Sequence, residues 1–240
     1  MPLEVTEKAT RGVAAVDRAL SIVAALETSD MPRNLSELSR ATGLYKSTIL
    51  RLLESLLDAG YVIRIDDAKY ALGPAVLQLG MSYERTNPLK HYVFPIFERL
   101  VAANAESPSF HVRQTESERL CLFRMNSNHS TLDRVREGDR LPIGRGAAGK
   151  VLLAFHATRP SGAEFDTIRS SGVALSLGER DKLCAGMAAP VFAGRSRLIG
   201  ALSLSGPRER FSPDDVARMT PLLISAASDL STGLGGEFPY

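Results

Sequence analysis

Four polar side chains crowd the start of one amphipathic segment: Lys46, Ser47, Thr48 and Arg51, within Tyr45-Lys46-Ser47-Thr48-Ile49-Leu50-Arg51-Leu52-Leu53. Hydroxyls and a guanidinium in the first turns of a helix can hydrogen-bond base edges, and an ammonium can pair with phosphate. That is the chemistry of a recognition helix in the DNA major groove. A second run, Gly144-Arg145-Gly146-Ala147-Ala148-Gly149, offers a different chemistry. Small residues leading into a helix leave backbone N–H groups open to an anionic group and let a ligand approach closely. A tight turn or close helix–sheet packing accounts for the same spacing equally well.

Patterns for catalysis are missing. His91, His111, His129 and His156 show no HExxH spacing, there is no CxxC pair, and no G-x-S-x-G elbow occurs. The Gly144 run has the G-x-G-x-x-G form, but no buried parallel strand leads into it, so a dinucleotide fold is not expected. The expectation is a protein that is not an enzyme, with no catalytic residues, no metal site and no cofactor.

The elements that must position these residues can be read from caps and periodicity. Asn34 and Glu37 form a capping box ahead of Leu35, Leu38 and Ala41, and Gly43 ends that helix. The next helix buries Ile49, Leu52, Leu53, Leu56 and Leu57 and stops at Gly60. Tyr61-Val62-Ile63, a turn at Asp66-Asp67-Ala68-Lys69, and Tyr70-Ala71-Leu72 make a hairpin. Helix, turn, helix and hairpin in this order predict a winged helix-turn-helix. A helix over Val13–Leu26 precedes it, with Val16, Leu20, Ile22, Val23 and Leu26 available to its apolar face. Gly73-Pro74 opens a further helix reaching about Arg85.

Beyond Asn87-Pro88 the reading is a helix from Leu89 to about Ala105, strands at Phe110–Arg113 and Leu120–Arg124, and a helix from Gly149 to Phe155. A hairpin of Ala189–Phe192 with Leu198–Ser205 and a final helix from Pro213, capped by Ser212, complete it. Alternation puts the hydroxyls of Ser203 and Ser205 on one side of their strand and Leu202 and Leu204 on the other. From alternation alone, a solvent-facing polar side is the commoner outcome.

A formal net charge of +2 argues against a non-specific architectural DNA binder, which leans on a large positive excess. A DNA-contacting surface would have to be assembled locally from Arg18, Arg33, Lys46, Arg51, Arg64 and Lys69. Cys121 and Cys184 make no disulfide framework, and neither a signal segment nor a membrane-spanning apolar run is legible. A cytoplasmic location without membrane association is therefore expected.

Several segments in order resemble one family. They are Ala15-Val16-Asp17-Arg18-Ala19-Leu20, then Leu35 to Leu44, then Lys46-Ser47-Thr48 with Arg51-Leu52-Leu53, then Tyr70-Ala71-Leu72-Gly73. Further on come Gly149 to Ala154, Ala188-Ala189-Pro190-Val191 and Ala201 to Pro207. Together the chain resembles the IclR family of bacterial transcriptional regulators. The resemblance implies an α+β protein with an N-terminal winged helix-turn-helix over 13–73, a connecting helix over 74–87 and a C-terminal GAF-like effector-binding domain over 88–240. It implies operator DNA as one partner, read by Ser47, Thr48 and Arg51 with Lys46 on phosphate and the wing residues Arg64 and Lys69 on the backbone or minor groove. It implies a small-molecule effector, a carboxylic acid in particular, near Leu132, Val135, Gly146, Ala147, Ala148, Ser176, Ser203 and Ser205. It also implies a homodimer through the N-terminal part or a homotetramer through the sensor parts, with repression frequent among relatives. The rival reading is a small-molecule sensor or enzyme whose first domain is only a protein-interaction module.

Overall fold

The structure, a computed structural model, describes residues 12–65, 68–157, 160–194 and 197–240. The chain divides into two compact units, one ending at Asn87 and the other spanning Pro88–Tyr240.

The first unit contains α1 (Ala14–Glu27), β1 (Arg33–Asn34), α2 (Leu35–Thr42), α3 (Lys46–Asp58), β2 (Val62–Ile65), β3 (Lys69–Leu72) and α4 (Pro74–Thr86). The capping box holds as read: the Asn34 side chain accepts from the Ser36 and Glu37 amides, and Glu37 accepts from the Asn34 amide. Gly43 ends α2 in the left-handed region at φ 70°, where a side chain would be strained. Ile22, Leu26, Leu38, Ile49, Leu53, Val62 and Tyr70 form the core of this unit. Two residues of the expected α1 face do not join it: Val16 and Leu20 are exposed. The inward stripe runs instead through Ile22, Ala25 and Leu26, because the three-helix core meets only the C-terminal half of α1. Strands β1, β3 and β2 form an antiparallel sheet in that order. Asp66 and Asp67, read as the hairpin turn, lie outside the described residues.

The second unit contains α5 (Leu89–Ala102), β4 (Ser107–Arg113), β5 (Glu118–Arg124), β6 (Arg140–Pro142), α6 (Ala147–Ala154), α7 (Ala163–Ser171), β7 (Ala174–Leu177), β8 (Cys184–Ala193), β9 (Arg197–Pro207) and α8 (Pro213–Gly233). One antiparallel sheet runs β6-β5-β4-β9-β8-β7. On one face α5 and α8 pack Phe97, Leu100, Met219, Leu223 and Leu230 against Phe110, Leu202 and Leu204. On the other, α6 and α7 pack Val151, Leu152 and Ile168 against Ala174, Ala188 and Ala201. This is the α+β architecture expected. The strands of the β8–β9 hairpin are several residues longer than the hydrophobic runs indicated. Strands β6 and β7 and helix α7 were not legible, being short or polar.

Candidate functional sites

The first turn of α3 has no capping side chain: its N-cap, Tyr45, makes no side-chain hydrogen bond to the helix. Tyr45, Lys46, Ser47 and Arg51 are exposed and Thr48 is half-buried, while Ile49 and Leu53 on the opposite side are fully buried. The helix is therefore fixed by its apolar stripe and presents its N-terminal half outward. Farther along the same exposed face stand Glu54 and Asp58, which repel phosphate and leave the first two turns as the approachable part. Tyr45, 84% exposed at the tip, was not singled out from sequence, although an aromatic at an N-cap is an unusual choice.

The remaining basic candidates do not form one patch. Strand register places Arg33, Tyr70 and Arg64 in one cross-strand row on one face, where Tyr70 is buried, Arg33 half-buried and Arg64 exposed. Lys69 pairs with Ile65 and Asn34 and therefore points to the other face of the hairpin. Arg18 is exposed on α1.

In the second unit a small, partly open cavity lies on the α6 side of the sheet. Seven of the eight expected residues line it: Val135, Gly146, Ala147, Ala148, Ser176, Ser203 and Ser205. Leu132 does not; its neighbour Asp133 does, because the loop turns that carboxylate inward. The serine hydroxyls face the cavity and not solvent, so the commoner reading of the alternation fails: Ser203 is buried and shares a 3.0 Å hydrogen bond with Ser109 Oγ.

Sequence reasoning missed the strongest polar groups of the wall. His111, Arg119, Asp133 and Arg180 also line it, and the first three are buried. They come from β4, β5 and two loops, and nothing in local spacing links them. The His111 ring shares a 3.0 Å hydrogen bond through Nε2 with Ser109 Oγ, while its Nδ1 has no partner. Burial, then the charges of Arg119, Arg124 and Arg180, hold its pKa well below the ordinary value, so the ring is neutral. Arg119 donates to the carbonyls of Pro142 and Arg145, the latter at 2.7 Å, and its Nε is unpartnered. Burial and the neighbouring Arg180 lower its pKa to about 10, leaving it charged at neutral pH. Asp133 pairs with Arg124, lies 3.6 Å from Arg180, and keeps Oδ2 without a hydrogen bond. Arg124 donates as well to Ser205 Oγ at 3.2 Å.

The start of α6 is not open in the way its small residues suggest. Glu179 accepts from the Gly146 amide at 3.2 Å and from Lys150 Nζ. Lys150 also pairs with Glu164 at 2.6 Å. Burial raises the Glu179 pKa, but the hydrogen bonds from Lys150 and Gly146 outweigh it and the net shift is downward. For Lys150, burial likewise opposes the charge, and the bonds to Glu164 and Glu179 win and raise its pKa. Gly149 permits the close approach: a Cβ there would lie 2.0 Å from the Ile143 carbonyl oxygen.

Two family models match the chain, the IclR helix-turn-helix domain over residues 15–65 and the bacterial transcriptional regulator IclR C-terminal domain over 162–232. The chain belongs to the IclR family of transcriptional regulators. It is 25% identical over 260 residues to the transcriptional repressor IclR of Escherichia coli, covering 98% of this chain and 95% of that protein. It is 27% identical to the glycerol operon regulatory protein of Streptomyces griseus, covering 95% and 97%. The crystal structure of an IclR-type regulator from Silicibacter sp. superposes with a TM-score of 0.80 at 26% identity, covering 94% and 98%. An IclR homologue from Microbacterium hydrocarbonoxydans, crystallised with 4-hydroxybenzoate, has the same fold with a TM-score of 0.74 at 21% identity, covering 92% and 99%. Membership makes this a DNA-binding regulator under small-molecule control. Among the described residues no helix is long and apolar enough to cross a membrane, and no group of three or more His, Cys, Asp or Glu is placed to hold a metal ion.

Proposed function

We propose that this IclR-family protein represses transcription by holding operator DNA through the first two turns of α3, and that a small organic acid in the cavity above β4 and β9 shifts that affinity. The single observation that carries the DNA reading is the exposed, uncapped start of α3, with Lys46, Ser47 and Arg51 outward and the apolar stripe locked inward. Ser47, Thr48 and Arg51 reach base edges, and Lys46 with the first-turn amides holds phosphate. Arg33 and Arg64, in one row on the hairpin, serve the flanking backbone, with Lys69 and Arg18 as outlying contacts. Small-molecule control works by linkage: a ligand that favours one state of the protein changes its affinity for operator by the same factor.

Helix α4 supports a homodimer as the DNA-bound species. It buries none of its residues, and Leu77, Leu79, Met81 and Tyr83 stand exposed around it. Such a surface is stabilised by a second copy, and two recognition helices together give a longer, two-fold related operator. The test is fluorescence anisotropy on the upstream intergenic DNA, with excess unrelated competitor, across a salt series. Specific binding resists competitor and weakens with salt, and Lys46→Ala lowers the salt slope by about 1. Loss of all binding to competitor, or an unchanged slope, sinks the assignment.

A further inference from the structure

The cavity wall carries more positive charge than it can neutralise. Three guanidinium groups, of Arg119, Arg124 and Arg180, surround the neutral His111 ring, and each of them disfavours its protonation. Among the described residues that line the cavity, Asp133 is the one acid. Its carboxylate pairs with Arg124 and stands 3.6 Å from Arg180, so two arginines share one acid. Among the described residues Arg119 has no carboxylate within pairing distance; its donors reach the Pro142 and Arg145 carbonyls, and Nε is left over in a side chain whose residue is 4% exposed. The acid nearest the α6 start, Glu179, is already committed to Lys150 and Gly146. Arg124, which does not line the cavity, takes up Asp133 from behind, so the two guanidinium groups that do line it, buried Arg119 and partly exposed Arg180, have no carboxylate closer than the 3.6 Å between Arg180 and Asp133.

Keeping a guanidinium charged in the interior with only carbonyl partners is costly, and an anion entering the cavity relieves that cost. Charged hydrogen bonds from arginine to an oxyanion are also the strongest such a wall can make. We infer that the effector of this protein is a small dianion: a molecule carrying two negative charges, one met by Arg119 and the other by Arg180. Ser176, Ser203 and the unpartnered His111 Nδ1 fix its orientation. A monocarboxylate leaves one guanidinium unanswered. The inference rests on the cavity being the effector site and narrows the organic acid to a charge class. Both a dicarboxylate and a single doubly charged group, such as a phosphate monoester, satisfy it.

The test uses the full-length protein at pH 8, where Arg119 remains protonated. Thermal stabilisation and isothermal titration are measured with succinate and malonate, with methyl phosphate, and with the matched monoanions butyrate, propionate and succinamate; 4-hydroxybenzoate is included as an aromatic monoanion. Succinate or malonate is expected to bind at least tenfold more tightly than its matched monoanion, or methyl phosphate at least tenfold more tightly than every monoanion of the panel. Stronger binding by succinate or malonate identifies a dicarboxylate, and by methyl phosphate a phosphate monoester. Arg180→Gln, at the partly exposed rim, is expected to remove most of that preference and leave the weaker monoanion affinity in place. Arg119→Gln adds a second check where it folds.

A monoanion that equals its dianion, or a dianion preference that survives Arg180→Gln, overturns the inference. Absence of binding by every probe overturns it as well. The two failures are separated by Ser203→Phe, which fills the cavity. If a monoanion's binding is lost in that variant, the site is right and the charge class wrong; if it persists, the site itself is wrong.

Discussion

Helices α3 and α6 begin alike and meet opposite surroundings. Neither N-cap, Tyr45 or Gly146, supplies a side-chain acceptor to the first turn, whereas α2 and α8 both carry full capping boxes, Asn34 with Glu37 and Ser212 with Asp215. At α3 the open start is exposed and dressed with Lys46, Ser47 and Arg51. At α6 it is buried and dressed with Ala147, Ala148 and Gly149, and Glu179 from another segment takes the Gly146 amide. An open helix end on the surface can wait for an outside anion at little cost, because water satisfies it meanwhile. In the interior the chain must supply its own acceptor, and Glu179 does so for the Gly146 amide.

The sharpest way to separate the two regions is to crowd one of them. In Gly149→Ala the new Cβ meets the Ile143 carbonyl oxygen 2.0 Å away, and backbone must move. We expect a loss of about 3 kcal/mol, at the upper end of overpacking costs. Hydrogen exchange should show lost protection across β8 and β9 with α1 to α3 unchanged. Equal loss in both units would mean that they share stability in a way the two separate cores do not indicate.

Next in size is the recognition turn itself. Arg51→Ala is expected to cost about 1–3 kcal/mol of specific binding, with relaxed preference at the base it contacts. Lys46→Ala/Arg51→Ala should leave no competitor-resistant complex. Thermal shifts produced by cavity ligands should be untouched in both, and a variant that loses ligand response along with DNA would break the division of labour.

The difference between the regions also explains what could be read beforehand. The α3 site is made of consecutive residues, so composition at one helix start exposed it, and the capping box and Gly43 fixed where the helices lie. The cavity is made by register. Ser109 meets Ser203 across β4 and β9, and Arg124 meets Ser109 across β5 and β4. Residues far apart in sequence become neighbours, as in the 94-residue separation of Ser109 and Ser203. Alternation indicated that Ser203 and Ser205 share a side but not that α6 would cover it. His111, Arg119 and Asp133 had no pattern at all, because each is one polar residue in a strand or loop whose neighbours carry no related signal. Val16 and Leu20 failed for the converse reason: periodicity marks a stripe, and only packing decides how far along the helix the core extends.

The neutral His111 gives a smaller, pH-dependent contrast. Its folded pKa lies well below 6.5, so the unfolded chain takes up the proton first as pH falls. Stability from this group is intact above 6.5 and lost as pH drops toward the folded value, with a slope of about 1.4 kcal/mol per pH unit for one proton. Chemical denaturation at pH 7.5, 6.5 and 5.5 should show a shallower decline in His111→Gln than in the parent protein. Parallel curves would mean that the ring titrates normally and that the three arginines do not act on it.

The smallest effect tests the open end of α3 directly. Tyr45→Ser supplies the acceptor that this N-cap lacks, and is expected to stabilise the first unit by about 0.5–1 kcal/mol. The same hydroxyl takes up a first-turn amide that otherwise faces phosphate, and the exposed ring is removed. Operator affinity should therefore fall several-fold while the melting temperature rises. A gain in both would mean that the bare helix end serves no anion and that the basic side chains alone hold the DNA. The opposite signs are what a site maintained at a cost to its own helix must give.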